Sequence, residues 1–166
     1  MDAESYLALI SQRLERAGFG VERRGSDDLA LVGHRRQGKL SRFGFVDTVV
    51  GVGSPRPSAT SSDLEVIADR SFNEALRLKV RLPRGLGSQV VSYPALVVDQ
   101  CSDELRSFAA TYAPKHWSAM DFPIVVDLAT GTLVFLEKTP MWGAAYYKRT
   151  REEARELLSP AAVSET

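Results

Sequence analysis

Apolar residues alternate with a period of two over Ile124, Val126 and Leu128 on one side and Val125 and Asp127 on the other. The return run sets Leu133 and Phe135 against Val134 and Leu136. A two-residue period is that of extended backbone, and both sides are largely apolar, so the pattern predicts a hairpin of interior strands covered on each face. Between the runs stands Ala129-Thr130-Gly131, a short loop in which Gly131 supplies a positive φ that other residues adopt only at a cost. Pro123 falls at the strand's start, where a missing N–H does least harm.

Elsewhere the apolar spacing lengthens to three and four, the period of a helix with one buried stripe. Tyr6, Leu7, Ile10, Leu14 and Ala17 recur this way between Asp2, a fitting N-cap, and Gly18. Leu64, Ile67, Ala68, Phe72, Ala75 and Leu76 follow a Ser62/Glu65 capping-box pattern and run until Pro83. Ser102 caps a short amphipathic helix bearing Leu105, Phe108, Ala109 and Tyr112. Thr150 with Glu153 opens a last helix that has Ala154, Leu157 and Leu158 to bury. Phe19–Arg24 and Leu29–Val32 read as two short strands, and a polar turn around Gln37-Gly38-Lys39 precedes a third over Phe43–Val52 with a bulge near Gly44 or Asp47. A fourth, Val90–Val98, is bent at Pro94.

The order α-βββ-α-β-α-ββ-α predicts one α+β domain over residues 1–160, a two-layer sandwich whose mostly antiparallel sheet carries helices packed on it, with 161–166 a disordered tail. With 166 residues, 44% of them apolar, the chain can bury a core without metal or disulfide. Lys and Arg number 21 and Asp and Glu 21, so no general attraction to nucleic acid or anionic lipid is imposed. A lone Cys101, no leader pattern and no membrane-length apolar run lead to the expectation of a reducing cytoplasm.

In element order alone, the first six elements are similar to the core of PD-(D/E)XK nucleases. Without the short helix, the whole order is similar to the type III secretion chaperone fold. The nuclease resemblance implies carboxylates converging on Mg²⁺, with an acid, one spacer and a lysine on the third strand. Asp47 is instead followed by Thr48 and Val49, so Asp28, Glu65 and Lys79 would have to complete the set. Asp47 is expected as a carboxylate hydrogen-bonded to backbone, and no metal ligands are assigned.

Other chemistry is local. Arg35 and Arg36, with Arg23, Arg24, His34, Lys39 and Arg42, fall on or beside the first strands, and Arg77 and Arg81, with Lys79 and Arg84, end the second helix. They form a candidate anion-binding face, or else complement a helix dipole and protect a sheet edge. Thr139–Tyr147 contains Met141, Trp142, Tyr146 and Tyr147, a composition suited to a ligand pocket or partner surface, and His116 and Trp117 lie in the irregular stretch before the hairpin. A thiol nucleophile would need Cys101, His116 and Asp121 or Asp127, without a recognised local signature. Gly85-Leu86-Gly87 leads into a strand and cannot cradle phosphate.

The expected function is therefore a non-enzymatic cytoplasmic domain that binds a protein partner or itself through a sheet edge and the Trp142–Tyr147 loop, without cofactor and without a membrane. The alternative is a nucleic-acid-associated protein with a nuclease-like, catalytically incomplete fold. Whether Trp142, Tyr146, His116 and Asp127 line one cavity is the geometric question that separates binding from catalysis.

Overall fold

The computed structural model describes residues 1–25, 28–39, 44–79, 88–116, 119–138 and 144–160. Its elements are α1 (Ala3–Arg16), β1 (Gly20–Arg23), β2 (Leu29–Lys39), β3 (Gly44–Gly53), α2 (Ser61–Leu78), β4 (Ser88–Val98), α3 (Asp103–Ala109), β5 (Ala119–Asp121), β6 (Ile124–Asp127), β7 (Thr132–Phe135) and α4 (Ala144–Leu158). The carboxylate of Asp2 accepts from the Ser5 N–H at 2.9 Å and starts α1, and Gly18 at φ 81° follows its end. Asp63, not Glu65, closes the start of α2, accepting from the Thr60 N–H at 2.8 Å while Arg56 holds its other oxygen. That second partner places the cap two residues earlier than the Ser62/Glu65 pattern implies.

One sheet runs in the order β1-β2-β3-β4-β6-β7, with β5 beside β4. The α+β class is as expected, but the sheet is not mostly antiparallel: β4 pairs in parallel with β3, β5 and β6, while β1–β2, β2–β3 and β6–β7 are antiparallel. Nor are there two layers. Tyr6, Ile10 and Leu14 of α1 and Leu157 and Leu158 of α4 pack on one face of the sheet with Val50, Tyr93, Ala95, Phe122 and Ile124. Leu64, Ile67 and Ala75 of α2 and Leu105 of α3 pack on the other with Val49, Val90, Leu96 and Val125. Residues 90–98 are correspondingly buried throughout apart from small openings, as a parallel strand covered on both faces must be.

The hairpin forms with Gly131 at φ 67°. Every residue of β6 is buried, whereas β7 is an edge strand whose inner positions are covered by helices, so only the first of the expected interior strands is interior. The irregularity expected near Gly44 or Asp47 lies in β2, between Leu29 and Leu31. Gln37-Gly38-Lys39 continues β2 instead of turning, paired to Val46, Phe45 and Gly44. The final helix begins at Ala144, before the Thr150/Glu153 pattern; Thr150 is buried. The predicted tail, residues 161–166, lies outside the described residues.

Helix α2 lies against β3 where Gly51 leaves no side chain: a Cβ there would stand 2.5 Å from Ser71 Oγ and 2.7 Å from Ser71 Cβ. Ser71 is buried and bonded to Ser92 at 3.1 Å, so it has no free rotation away from an added methyl. Gly51→Ala is expected to destabilise the domain by about 1–3 kcal/mol. Gly38→Ala, which meets nothing within 4 Å, is expected to change it by no more than about 0.5 kcal/mol. Urea unfolding of both variants checks this; equal midpoints would contradict the close approach.

Candidate functional site

The neighbour of β4 changes identity along its length. Ser92 registers with Asp121, the last residue of β5, and Ala95 registers with Ile124, the first of β6. The intervening Phe122-Pro123 lies opposite Tyr93-Pro94, and neither proline can donate to a ladder. The break is held open by Phe122, whose N–H donates to Ser92 O at 2.9 Å and whose ring packs against Tyr93 and Phe135 at centroid distances of 6.3 and 5.4 Å. Asp121 is thereby fixed at the end of a three-residue strand with its side chain only 1% exposed.

Beside it is a partly enclosed cavity of about 630 Å³ whose walls include Tyr112, His116, Met120, Asp121, Leu136 and Tyr147. Each wall is anchored. Tyr112 stacks on Phe108 at 4.9 Å, and the His116 ring lies flat on Phe72 of α2 at 3.7 Å and 11°. Glu137 donates its N–H to Ala110 O at 3.2 Å, while Arg151 of α4 donates to Leu136 O at 3.0 Å and Glu137 O at 2.7 Å. The same guanidinium stands 6.0 Å from the Tyr147 ring.

His116 Nε2 approaches Asp121 Oδ2 to 3.5 Å, an ion-pair distance when the imidazole is protonated but too long for a good hydrogen bond. Both carboxylate oxygens of Asp121 are buried without a partner at hydrogen-bond geometry. Burial pushes this carboxyl up to about 7; the nearby Ser92 hydroxyl works against the shift and Asp69 adds to it. Burial, with Glu65, Asp121 and Asp69 as negative neighbours, pushes Tyr112 up to about 12. The cavity therefore has an apolar and aromatic wall, one acid whose pKa burial raises to about 7, carboxylates of α2 near that acid, and Lys115 in its wall.

Of the residues singled out in the sequence, His116 and Tyr147 meet here. Tyr146 belongs to the first turn of α4, as does Tyr147, so the stretch expected to be loop is helical from Ala144. Trp142, Trp117 and Arg81 lie outside the described residues. Asp127 is elsewhere: it accepts from Ala129 and Thr130 N–H at 3.1 and 3.2 Å and from Arg106 at 3.0 Å, clamping the hairpin turn. Cys101 is buried away from the cavity wall and its thiol is pushed up by burial, so the thiol, His116 and Asp121 do not assemble. Asp121 was legible in the sequence only as a partner for His116; the signal for more is an acid set between Met120 and Phe122 just before a proline.

The arginines are engaged. Arg35 donates to Glu153 at 2.7 Å and to Ala17 O, over the Phe19 ring, in the α1/α4 layer. Arg36 donates to Asp47 at 2.8 Å and to Leu78 O, in the α2 layer, and Arg77 pairs with Glu74. Arg35 and Arg36 thus point to opposite layers and do not share one cationic face. Asp47 is fully buried and its Oδ1 takes both Arg36 and His34 Nε2, each at 2.8 Å, where backbone partners were expected. Among the described residues no cluster of three or more His, Cys, Asp or Glu is placed to hold a metal ion. None of the described helices is long and apolar enough to cross a membrane. No protein-family model, curated protein or solved structure matches the chain.

Asp121 generates a pH dependence of defined sign. Its folded pKa, about 7, lies above the ordinary 3.8, so the folded state holds this proton more tightly and its burial weighs against stability once the unfolded chain can ionise there. The penalty is absent below about pH 4, accumulates between about 4 and 7, where the unfolded chain has lost the proton and the folded state still holds it, and levels off above 7 at no more than about 4 kcal/mol. Asp121→Asn is therefore expected to gain stability over wild type between pH 5 and pH 8 in denaturant melts. A wild-type-to-variant difference that stays constant over that range would contradict the assignment.

Proposed function

We propose that this chain is a recognition domain that receives an apolar group of a protein partner in the cavity between Tyr112, His116 and Tyr147. The observation that carries it is convergence: segments separated by the whole hairpin meet around one cavity whose wall holds a buried acid without a hydrogen-bond partner, 3.5 Å from His116. Its volume lies in the range of pockets that enclose a side chain or small ligand, and its lining of aromatic, aliphatic and few polar groups is of that kind. The partner-binding role and a cytoplasmic setting rest on this surface together with the lone reduced cysteine. The nucleic-acid alternative has less support, because the described arginines of the candidate face are held by Glu153, Asp47 and Glu74.

An acid–base enzyme is the second reading, favoured by one observation: Asp121 titrates near neutrality 3.5 Å from a histidine. The described hydroxyl beside Asp121 is Ser92, fully buried and bonded to Ser71, which gives it no access to a substrate.

Met120 provides a reporter inside the cavity. With ¹³C-methyl methionine, phenol, indole and cyclohexanol are expected to shift the Met120 methyl resonance saturably at millimolar concentration. Tyr147→Ala should weaken this severalfold. No shift from any ring-bearing fragment would remove the binding role, and chemical conversion of a bound fragment, lost in Asp121→Asn, would favour the enzyme.

A further inference from the structure

Granting that the cavity is a binding site, we infer that the polar group it takes is a cationic nitrogen on an apolar stem, an alkylammonium or guanidinium, paired with the carboxylate of Asp121. Three observations carry this beyond the pocket itself. Asp121 is buried with neither oxygen at hydrogen-bond geometry to any group. An ionised carboxylate has only acceptor capacity and is costly to bury unpaired, so the missing partner is a donor, and a charged one offsets most of the cost.

Among the described residues, His116 is the cationic group at ion-pair distance from Asp121, and it does not fill that place. His116 is fixed face to face on Phe72, which leaves Nε2 at 3.5 Å from Oδ2 and no second donor for Oδ1. Lys115 is exposed on the cavity wall and makes no ion pair with Asp121. From α2, Asp69 acts on Asp121, and Glu65 and Asp69 act on Tyr112, as additional negative charges, so an anion at the Asp121 end of the cavity would meet repulsion. Tyr112 and Tyr147 present aromatic surface, and Met120 and Leu136 apolar surface, which suits the methylene stem and the flank of a cation.

The groups facing Asp121 set the direction of the pH dependence. Ser92 of β4, Asp69 of α2, His116 and Lys115 of the loop before β5, Tyr112 after α3 and Tyr147 of α4, with Arg151 beside its ring, surround it. Loss of the Asp121 proton creates the partner for the cation. Cation binding therefore strengthens as pH rises, and binding expels a proton.

The test uses n-butylammonium and n-butylguanidinium as probes, with 1-pentanol as the neutral and valerate as the anionic counterpart, followed by calorimetry and by the Met120 methyl resonance. The cations are expected to bind about tenfold more tightly at pH 8 than at pH 6, following the ionised fraction of Asp121. Proton release should be visible as a buffer-dependent enthalpy. In Asp121→Asn, cation affinity should fall at least tenfold at pH 8 and lose its pH dependence, while 1-pentanol binding is unchanged. Cations that bind no better than 1-pentanol, or that are unaffected by Asp121→Asn, overturn the inference and leave the pocket reading standing. Absence of all binding at Met120 overturns both. Given cation binding, Ac-Ala-Lys-Ala-NH₂ and Ac-Ala-Arg-Ala-NH₂ run against free spermidine identify the source. Tighter peptides assign the cation to a protein side chain, and tighter spermidine to a free polyamine.

Discussion

A central strand can be flanked by one continuous neighbour only if both can keep donating and accepting along their length, and here prolines interrupt both sides at the same level. Pro94 in β4 and Pro123 beside it each lack an N–H, and the register passes from Ser92↔Asp121 to Ala95↔Ile124 across that level. The neighbour is therefore two strands instead of one. Everything distinctive about the molecule sits at this discontinuity: β5 ends there, Phe122 turns into the core to close it, and Asp121 is left inside the protein because the chain has no room to carry it out.

Other acids, Asp47 and Asp127 buried and Glu153 half-buried, contrast with that one. Asp47 is shared by His34 and Arg36; Asp127 is bound by Arg106 and two turn amides; Glu153 accepts from both Arg35 and the Tyr93 hydroxyl, at 2.7 and 2.8 Å. Each ties one sheet strand to a helix, a second strand or a turn, and removing one partner from such a set strands the other charge in a poor solvent. Among the described residues, Asp121 is the acid whose buried oxygens lack a hydrogen-bond partner, with His116 at 3.5 Å, and it stands in the wall of a cavity, which is where unsatisfied groups acquire a use.

Local chemistry was legible in the residues and long-range pairing was not. The stripe from Tyr6 to Leu14, the Asp2 and Ser102 caps and the Gly131 turn are all encoded within a few positions, and they stand as read. Gln37-Gly38-Lys39 looks like a turn by composition, yet β3 holds it extended through partners several residues away. Similarly, Ala144–Tyr147 carries small and aromatic residues typical of a loop, but enters the helix that Ala154, Leu157 and Leu158 anchor further on. Strand β5 is three residues long, too short for a period to register, so the burial of Asp121 could not be foreseen. Parallel pairing leaves no local mark either, apart from the doubly apolar run of β4, which fits a buried helix segment equally well. His116 and Tyr147 drew notice for composition; that they share a cavity depends on β5 and on Arg151, both invisible at the level of spacing.

Helices α1 and α4 lie on the same face of the sheet and are joined directly, the Tyr6 hydroxyl donating to Leu158 O at 2.9 Å and Arg13 to Ser159 O at 2.6 Å. These contacts span separations of 152 and 146 residues. On a ribosome the first of these helices is synthesised long before its companion, and its greasy stripe can be only partly covered by the early strands in the interval. This layer therefore closes only after every strand of the sheet has been synthesised, and until then the apolar stripe of α1 lacks the helix that completes its cover.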